Sequence, residues 1–195
     1  MDIYKDEKSM KAELKKIISD EKSIYLPHIT TLKEYWSIRI THDESYEIFR
    51  WSCALRCAEY YGKQKQKSRN VWNRVLFLYY YRKMNILGGQ LGYFVSTNVL
   101  GKSVKIFHRG NIIINYRSVI GEGCKFHGDN CVGNNGENIE CPVLGKNVDV
   151  GIGAKIIGGV TIADNIKIGA NAVVTKSFTE PGITIAGVPA KKIKE

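Results

Sequence analysis

"LGKNVDVGIGAKIIGGVTIADNIKIGANAVVTKSFT", residues 144–179, divides into blocks of six: LGKNVD, VGIGAK, IIGGVT, IADNIK, IGANAV and VTKSFT. An aliphatic residue opens every block, at positions 144, 150, 156, 162, 168 and 174. Two earlier blocks, IGEGCK from Ile120 and FHGDNC from Phe126, keep the same frame. A period of six fits neither a helix nor a simple alternating strand. It is the period of a parallel β-helix, in which three short strands and three turns close one coil. Successive coils stack at about 4.8 Å, so each repeated position becomes a column. The opening apolar side chains fill the narrow interior. Small residues fit the corners, where glycine relieves the backbone.

The pattern extends upstream in a different frame. LGKSVK (100–105), IFHRGN (106–111) and the eight residues IIINYRSV (112–119) continue it, which places two extra residues in the last of these. Downstream of Val132 the polar segment GNNGENIECPV (133–143) preserves the frame and ends at a proline and a valine, as a loop leaving the coil would. The N-terminal part reads differently. Residues 2–22 put Met10, Leu14, Ile17 and Ile18 on one helical stripe. Helices are also expected over 43–63, closing on Gly62, and over 68–88, again stopping at glycine. The aromatic residues gathered there, among them Trp51, Trp72 and Phe77, are the material of helix packing. The fold class is α+β, with an α-helical region over 1–92 and a parallel β-helix over 93–195 that carries the loop 133–143 and a C-terminal tail.

Composition narrows the function. The 195 residues are 44% apolar and 25% charged, and no apolar run approaches the roughly 18 residues of a membrane span. The charged start, MDIYKDEKSM, lacks the apolar segment of a secretory signal, so a cytoplasmic location is expected. The five cysteines form no pair or cluster with zinc spacing, and no metal is expected. The net charge of +10 suits a nucleic-acid binder or the attraction of a smaller anion such as a phosphorylated cofactor. The basic residues are spread along the chain without a zinc finger, RRM or helix-turn-helix pattern, which favours the smaller anion.

The hexapeptide run IIGGVTIADNIKIGANAVVTKSF and the closing GITIAGVPAKKIKE resemble the left-handed β-helix acyltransferases. The order of parts is similar to their serine acetyltransferase branch, a layout shared by many capsule and surface-polysaccharide O-acetyltransferases. The resemblance implies a left-handed coil, a homotrimer with sites between neighbouring coils, and acetyl transfer from acetyl-CoA. His108 matches the family's catalytic histidine, the third residue of its coil, which takes the acceptor's proton as the alcohol attacks the thioester. Contacts to acetyl-CoA are implied for Gly153, Ala154, Gly169 and Ala170, with Lys176, Lys191 and Lys192 near its phosphates.

Three positions depart from the serine enzymes. The Asp before their histidine is Phe107 here, their loop Arg-His pair is replaced by Glu140 and Cys141, and the Asp that orients the histidine is replaced by Tyr93 or a neighbour. A free amino acid loses the charges that would hold it, whereas a sugar hydroxyl suits aromatic and neutral polar surroundings. Phe107, Asn115, His127, Glu140 and Cys141 are therefore candidate acceptor-binding residues. The leading expectation is a sugar O-acetyltransferase of capsule or surface-polysaccharide synthesis. The alternatives are a serine O-acetyltransferase of cysteine synthesis and an inactive β-helix scaffold.

Overall fold

The computed structural model describes residues 2–67 and 70–194, and side chains over 12–67 and 70–193; the side chain of Met10 lies outside the described residues. The chain divides into two compact units, Met1–Leu87 and Gly88–Glu195.

The first unit is helical. Helix α1 (Asp2–Tyr25) packs on α3 (Glu44–Lys67), and between them in sequence lies α2 (Leu32–Ile40). Trp51, Leu55 and Ala58 of α3 are buried in the core with Tyr25 and Leu26. The contact of α1 with α3 also buries polar groups: Arg56 Nε donates to Glu21 Oε1 at 2.9 Å, and the Ser52 hydroxyl donates to the other Glu21 oxygen. Burial would strand either charge alone, so the pair and its hydroxyl are needed together.

Helix α2 was not expected from the sequence. Thr31 caps it, accepting from the Glu34 amide, while the Glu34 carboxylate takes the Thr31 amide at 3.0 Å. Glycine stops neither of the next two helices. Gly62 lies inside α3, where an added Cβ would sit 3.4 Å from the Phe77 ring; it is a place of close approach to α4 (Val71–Leu91). Gly88 and Gly89 likewise lie within α4.

The second unit is a parallel β-helix. Its coils run β1 (Tyr93–Val95) and β2 (Lys105–Ile106); β3 (Ile112–Ile114), β4 (Val119–Ile120) and β5 (Lys125–Phe126); β6 (Asn130–Gly133), β7 (Val143–Leu144) and β8 (Asp149–Val150). They continue as β9 (Lys155–Ile157), β10 (Thr161–Ile162) and β11 (Lys167–Ile168), then β12 (Val173–Val174) and β13 (Thr184–Ala186), with β14 (Lys191–Lys194) antiparallel to β13. The strands form three faces: β1-β3-β6-β9-β12, β4-β7-β10, and β2-β5-β8-β11-β13-β14. The expected apolar columns fill the interior. Ile106, Phe126, Val150 and Ile168 make one, Ile120, Leu144 and Ile162 another, Ile114, Val132, Ile156 and Val174 the third, and none is more than 3% exposed. Corners carry residues that tolerate positive φ, including Asn147, Asn165 and Asn171. Gly123 adopts φ +72, and a Cβ there would press on the Asn147 side chain of the next coil.

One expectation about the frame is corrected. Ile106 pairs with Phe126 and Ile114 with Val132, so the chain takes eight residues from Ile106 to Ile114 where it takes six from Phe126 to Val132. The two extra residues lie before the triple isoleucine, in the turn that carries His108, and not in 112–119. Three consecutive isoleucines conceal which one opens the coil. Pairing with Val132 selects Ile114, and Ile113 points outward at 45% exposure.

Candidate active site

The longer turn leaves His108 exposed at the corner between β2 and β3. Its base is fixed from several sides. The Phe107 amide donates to Phe126 O at 2.9 Å, and the Gly110 amide to Leu91 O at 3.0 Å. The Tyr93 hydroxyl, on a side chain only 4% exposed, donates to the main-chain carbonyl of His108 at 2.9 Å. Tyr93 thus anchors the turn through the backbone of His108. On the next coil, a Cβ added at Gly128 would lie 3.8 Å from His108 Cβ, so the histidine rises over a glycine.

Phe107 and His127 follow the paired residues Ile106 and Phe126, and their side chains meet on successive coils. Their rings stack at 4.6 Å with an interplanar angle of 10°. The Phe107 and His108 rings are 6.5 Å apart. Lys105 Nζ lies 4.7 Å from the centroid of the Phe107 ring, within cation–π range. On the coil above, Asp149 Oδ1 is 2.8 Å from His127 Nε2. Lys105, Phe107, His127 and Asp149 therefore form a continuous line along one edge, with His108 beside it.

The candidate acetyl-CoA residues Gly153, Ala154, Gly169 and Ala170 belong to the same corner on later coils. Ala154 is fully buried, with its methyl in the interior and its carbonyl accepting from the Cys131 amide at 3.3 Å. Gly169 packs closely on Ala186, where a Cβ would come within 2.8 Å of the Ala186 methyl. Ala170 is exposed. Lys192 pairs with Glu180 at 2.9 Å, Lys176 lies over Phe178 at 5.4 Å, and Lys191 is exposed.

Asn115, Glu140 and Cys141 gather at a different corner, between β3 and β4 or β6 and β7. Asn115 Nδ2 donates to Asn134 Oδ1 at 3.2 Å, tying its turn to the start of the loop. Asn115 Oδ1 accepts from the Arg117 amide at 3.0 Å. The loop returns with the Glu140 side chain against Gly159, where a Cβ would lie 2.8 Å from Glu140 Cβ. Cys141 is half-buried. Within one chain, the candidate acceptor residues therefore separate into two groups: Phe107 and His127 beside His108, and Asn115, Glu140 and Cys141 at the other corner.

Sequence reasoning missed Lys105 and Asp149. The hexapeptide frame held the signal, since Lys105, Lys125, Asp149 and Lys167 share one outward column and Asp149 is its single acid. Among the described residues, no helix is long and apolar enough to cross a membrane. No group of three or more His, Cys, Asp or Glu among them is placed to hold a metal ion.

A parallel β-helix preceded by helices is the fold that the resemblance to the left-handed β-helix acyltransferases implies. No family model matches the chain. Curated relatives do. The chain is 32% identical over 99 residues to a serine acetyltransferase of Buchnera aphidicola subsp. Schizaphis graminum, covering 49% of this chain and 38% of the relative. It is 34% identical over 96 residues to a serine acetyltransferase of Helicobacter pylori, covering 48% and 56%. The chain thus spans about half the length, or less, of the curated relatives it matches. Among solved structures, the soybean serine acetyltransferase apoenzyme superposes with a TM-score of 0.67 at 21% identity, over 98% of this chain and 74% of that one. The Brucella abortus serine acetyltransferase in complex with coenzyme A gives 0.63 at 17% identity, over 94% and 69%. Those superpositions include the helical region and define the coil as the left-handed kind. In sequence and fold, the chain is similar to the serine acetyltransferase branch of that class.

Proposed function

We propose that the protein is an acetyl-CoA-dependent O-acetyltransferase in which His108 is the general base. The observation that carries this reading is the enlarged corner, which lifts His108 off the coil beside a ladder of small residues. His108 takes the proton of the acceptor's hydroxyl as that oxygen attacks the thioester carbonyl. The carbon–sulfur bond breaks, the ester forms, and the proton passes to the departing thiolate of coenzyme A. Neutral imidazole suits a base at working pH. No covalent enzyme intermediate is needed, so Cys141 has no nucleophilic part.

Acetyl-CoA would lie along the corner of Gly153, Gly169 and Ala170, with Lys176 and Lys191 toward its phosphates. Lys192 would have to exchange Glu180 for a phosphate. The coenzyme A in the Brucella abortus structure supports this choice of donor. A homotrimer, as the resemblance implies, would set the loop corner of one copy against the His108 corner of another and so reunite the two groups of acceptor residues.

Two acceptors are in play. The names of the relatives favour L-serine, and this is the better supported of the two. A sugar hydroxyl is favoured only by the residues at 107, 140 and 141, which are Phe, Glu and Cys. Free thiol released from acetyl-CoA, measured with L-serine and with a panel of neutral sugars, separates them. Robust release with L-serine alone removes the sugar reading. Failure to bind acetyl-CoA in calorimetry removes the enzyme reading altogether.

A further inference from the structure

We propose that His127 is a second recognition group for the acceptor, receiving through its Nδ1 a hydrogen bond from a donor group that neighbours the reacting hydroxyl. This rests on the acetyl-transfer reading above and deepens it, because it requires the acceptor to carry two donors close together. A sugar supplies a neighbouring hydroxyl, and serine supplies its ammonium.

The inference starts from Asp149. An ionised carboxylate only accepts, so the 2.8 Å contact with Asp149 Oδ1 requires a proton on Nε2 of His127. In the neutral ring, Nδ1 then carries the lone pair. Among the described residues the His127 ring has no hydrogen-bond partner other than Asp149, and its side chain is 38% exposed, so Nδ1 is open to a ligand. The ring is also held against rotation. Phe107 stacks on it at 4.6 Å, and Phe107 in turn has Lys105 Nζ over it. The Phe107 ring is therefore in contact with both a histidine and an ammonium. Phe107 thus braces the His127 ring. The Phe107 ring has His108 at 6.5 Å and His127 at 4.6 Å, so both imidazoles border the same aromatic side chain.

The acetyl transfer itself is unchanged by this. His108 moves the reacting proton and His127 only receives a hydrogen bond, which makes it a group acting on KM more than on kcat.

The test uses the full chain and two substitutions that divide the ring between them. An Asn side chain places its amide oxygen near the position of Nδ1, whereas Gln reaches toward the position of Nε2. With whichever of L-serine or the neutral sugars the wild type acetylates, His127→Gln is expected to raise the acceptor KM on the order of tenfold, the loss of about one hydrogen bond, with kcat changed by less. His127→Asn is expected to stay nearer the wild type, and Asp149→Ala to fall between them. Wild-type KM in all three overturns the proposal, as does a raised KM in Asn with Gln unaffected, because the ring would then act only toward Asp149. Nitrogen-15 NMR of the imidazole gives a readout independent of turnover: Nε2–H with unprotonated Nδ1 is expected at pH 8, and the opposite tautomer overturns the proposal. A wild type that acetylates neither acceptor class overturns the transfer reading and the proposal together. An active wild type with indifferent variants overturns the proposal alone.

Discussion

A thiol buried among apolar side chains is a poor acid, because its thiolate loses hydration without gaining a partner. Burial pushes Cys57 and Cys124 up to about 11 and Cys53 up to about 12. Unfolding returns all three toward the ordinary value near 8.5. Below about pH 8.5 both states keep these protons, and the contribution to stability is complete. From there through the folded-state values near 11, the unfolded chain releases protons that the folded chain retains, so stability falls as pH rises. Urea unfolding at pH 7.5 and pH 10.5 should show this loss, and a Cys53→Ala/Cys57→Ala variant should show a shallower one. An equal slope in both proteins would contradict it. The same burial makes these thiols inert to alkylation in the folded protein at pH 8. Of the five cysteines, only Cys131 and Cys141 lie both outside that protected group and within reach of solvent.

Packing is decided column by column among the coils. Phe126 is fully buried between Ile106 and Val150, so Phe126→Ala should cost about 3–5 kcal/mol. Ile152, at 52% exposure in the turn after β8, should lose about 0.5 kcal/mol or less on the same change. Urea melts of the two variants check the contrast, and comparable losses would contradict the assigned interior. The coil was legible in the sequence because its signal is local: each block repeats the demand for one apolar and one small residue. What escaped depends on register or on distant partners. Ile112, Ile113 and Ile114 look alike until β6 pairs with one of them. The stack of Phe107 on His127 joins residues twenty positions apart, and only the pairing of β2 with β5 brings them together. Helix α2 escaped for the opposite reason. None of its residues is buried, so no apolar stripe marks it, although Thr31 and Glu34 stand at capping-box spacing. The proposal of His108 as the base rests on resemblance, since one histidine on a turn has no periodicity to mark it.

The β-helix unit exposes apolar side chains on two faces, Phe94 and Ile113 on one, Val119 and Val143 on another. The proposed homotrimer would cover these columns and bring the two corners of the candidate site together. Sedimentation at micromolar concentration should report a trimer, and Ile113→Lys should dissociate it and lower turnover together. A monomeric Ile113→Lys with full activity would show that one chain holds a complete site. Everything assigned to that site depends on His108 moving a proton during acetyl transfer. The most direct measurement is thiol release from acetyl-CoA by the wild type and by His108→Ala, with acetyl-CoA affinity measured in parallel. A loss of 100-fold or more in kcat, on the order expected for removal of a general base, with affinity preserved is the predicted result. Wild-type kcat in His108→Ala would contradict it.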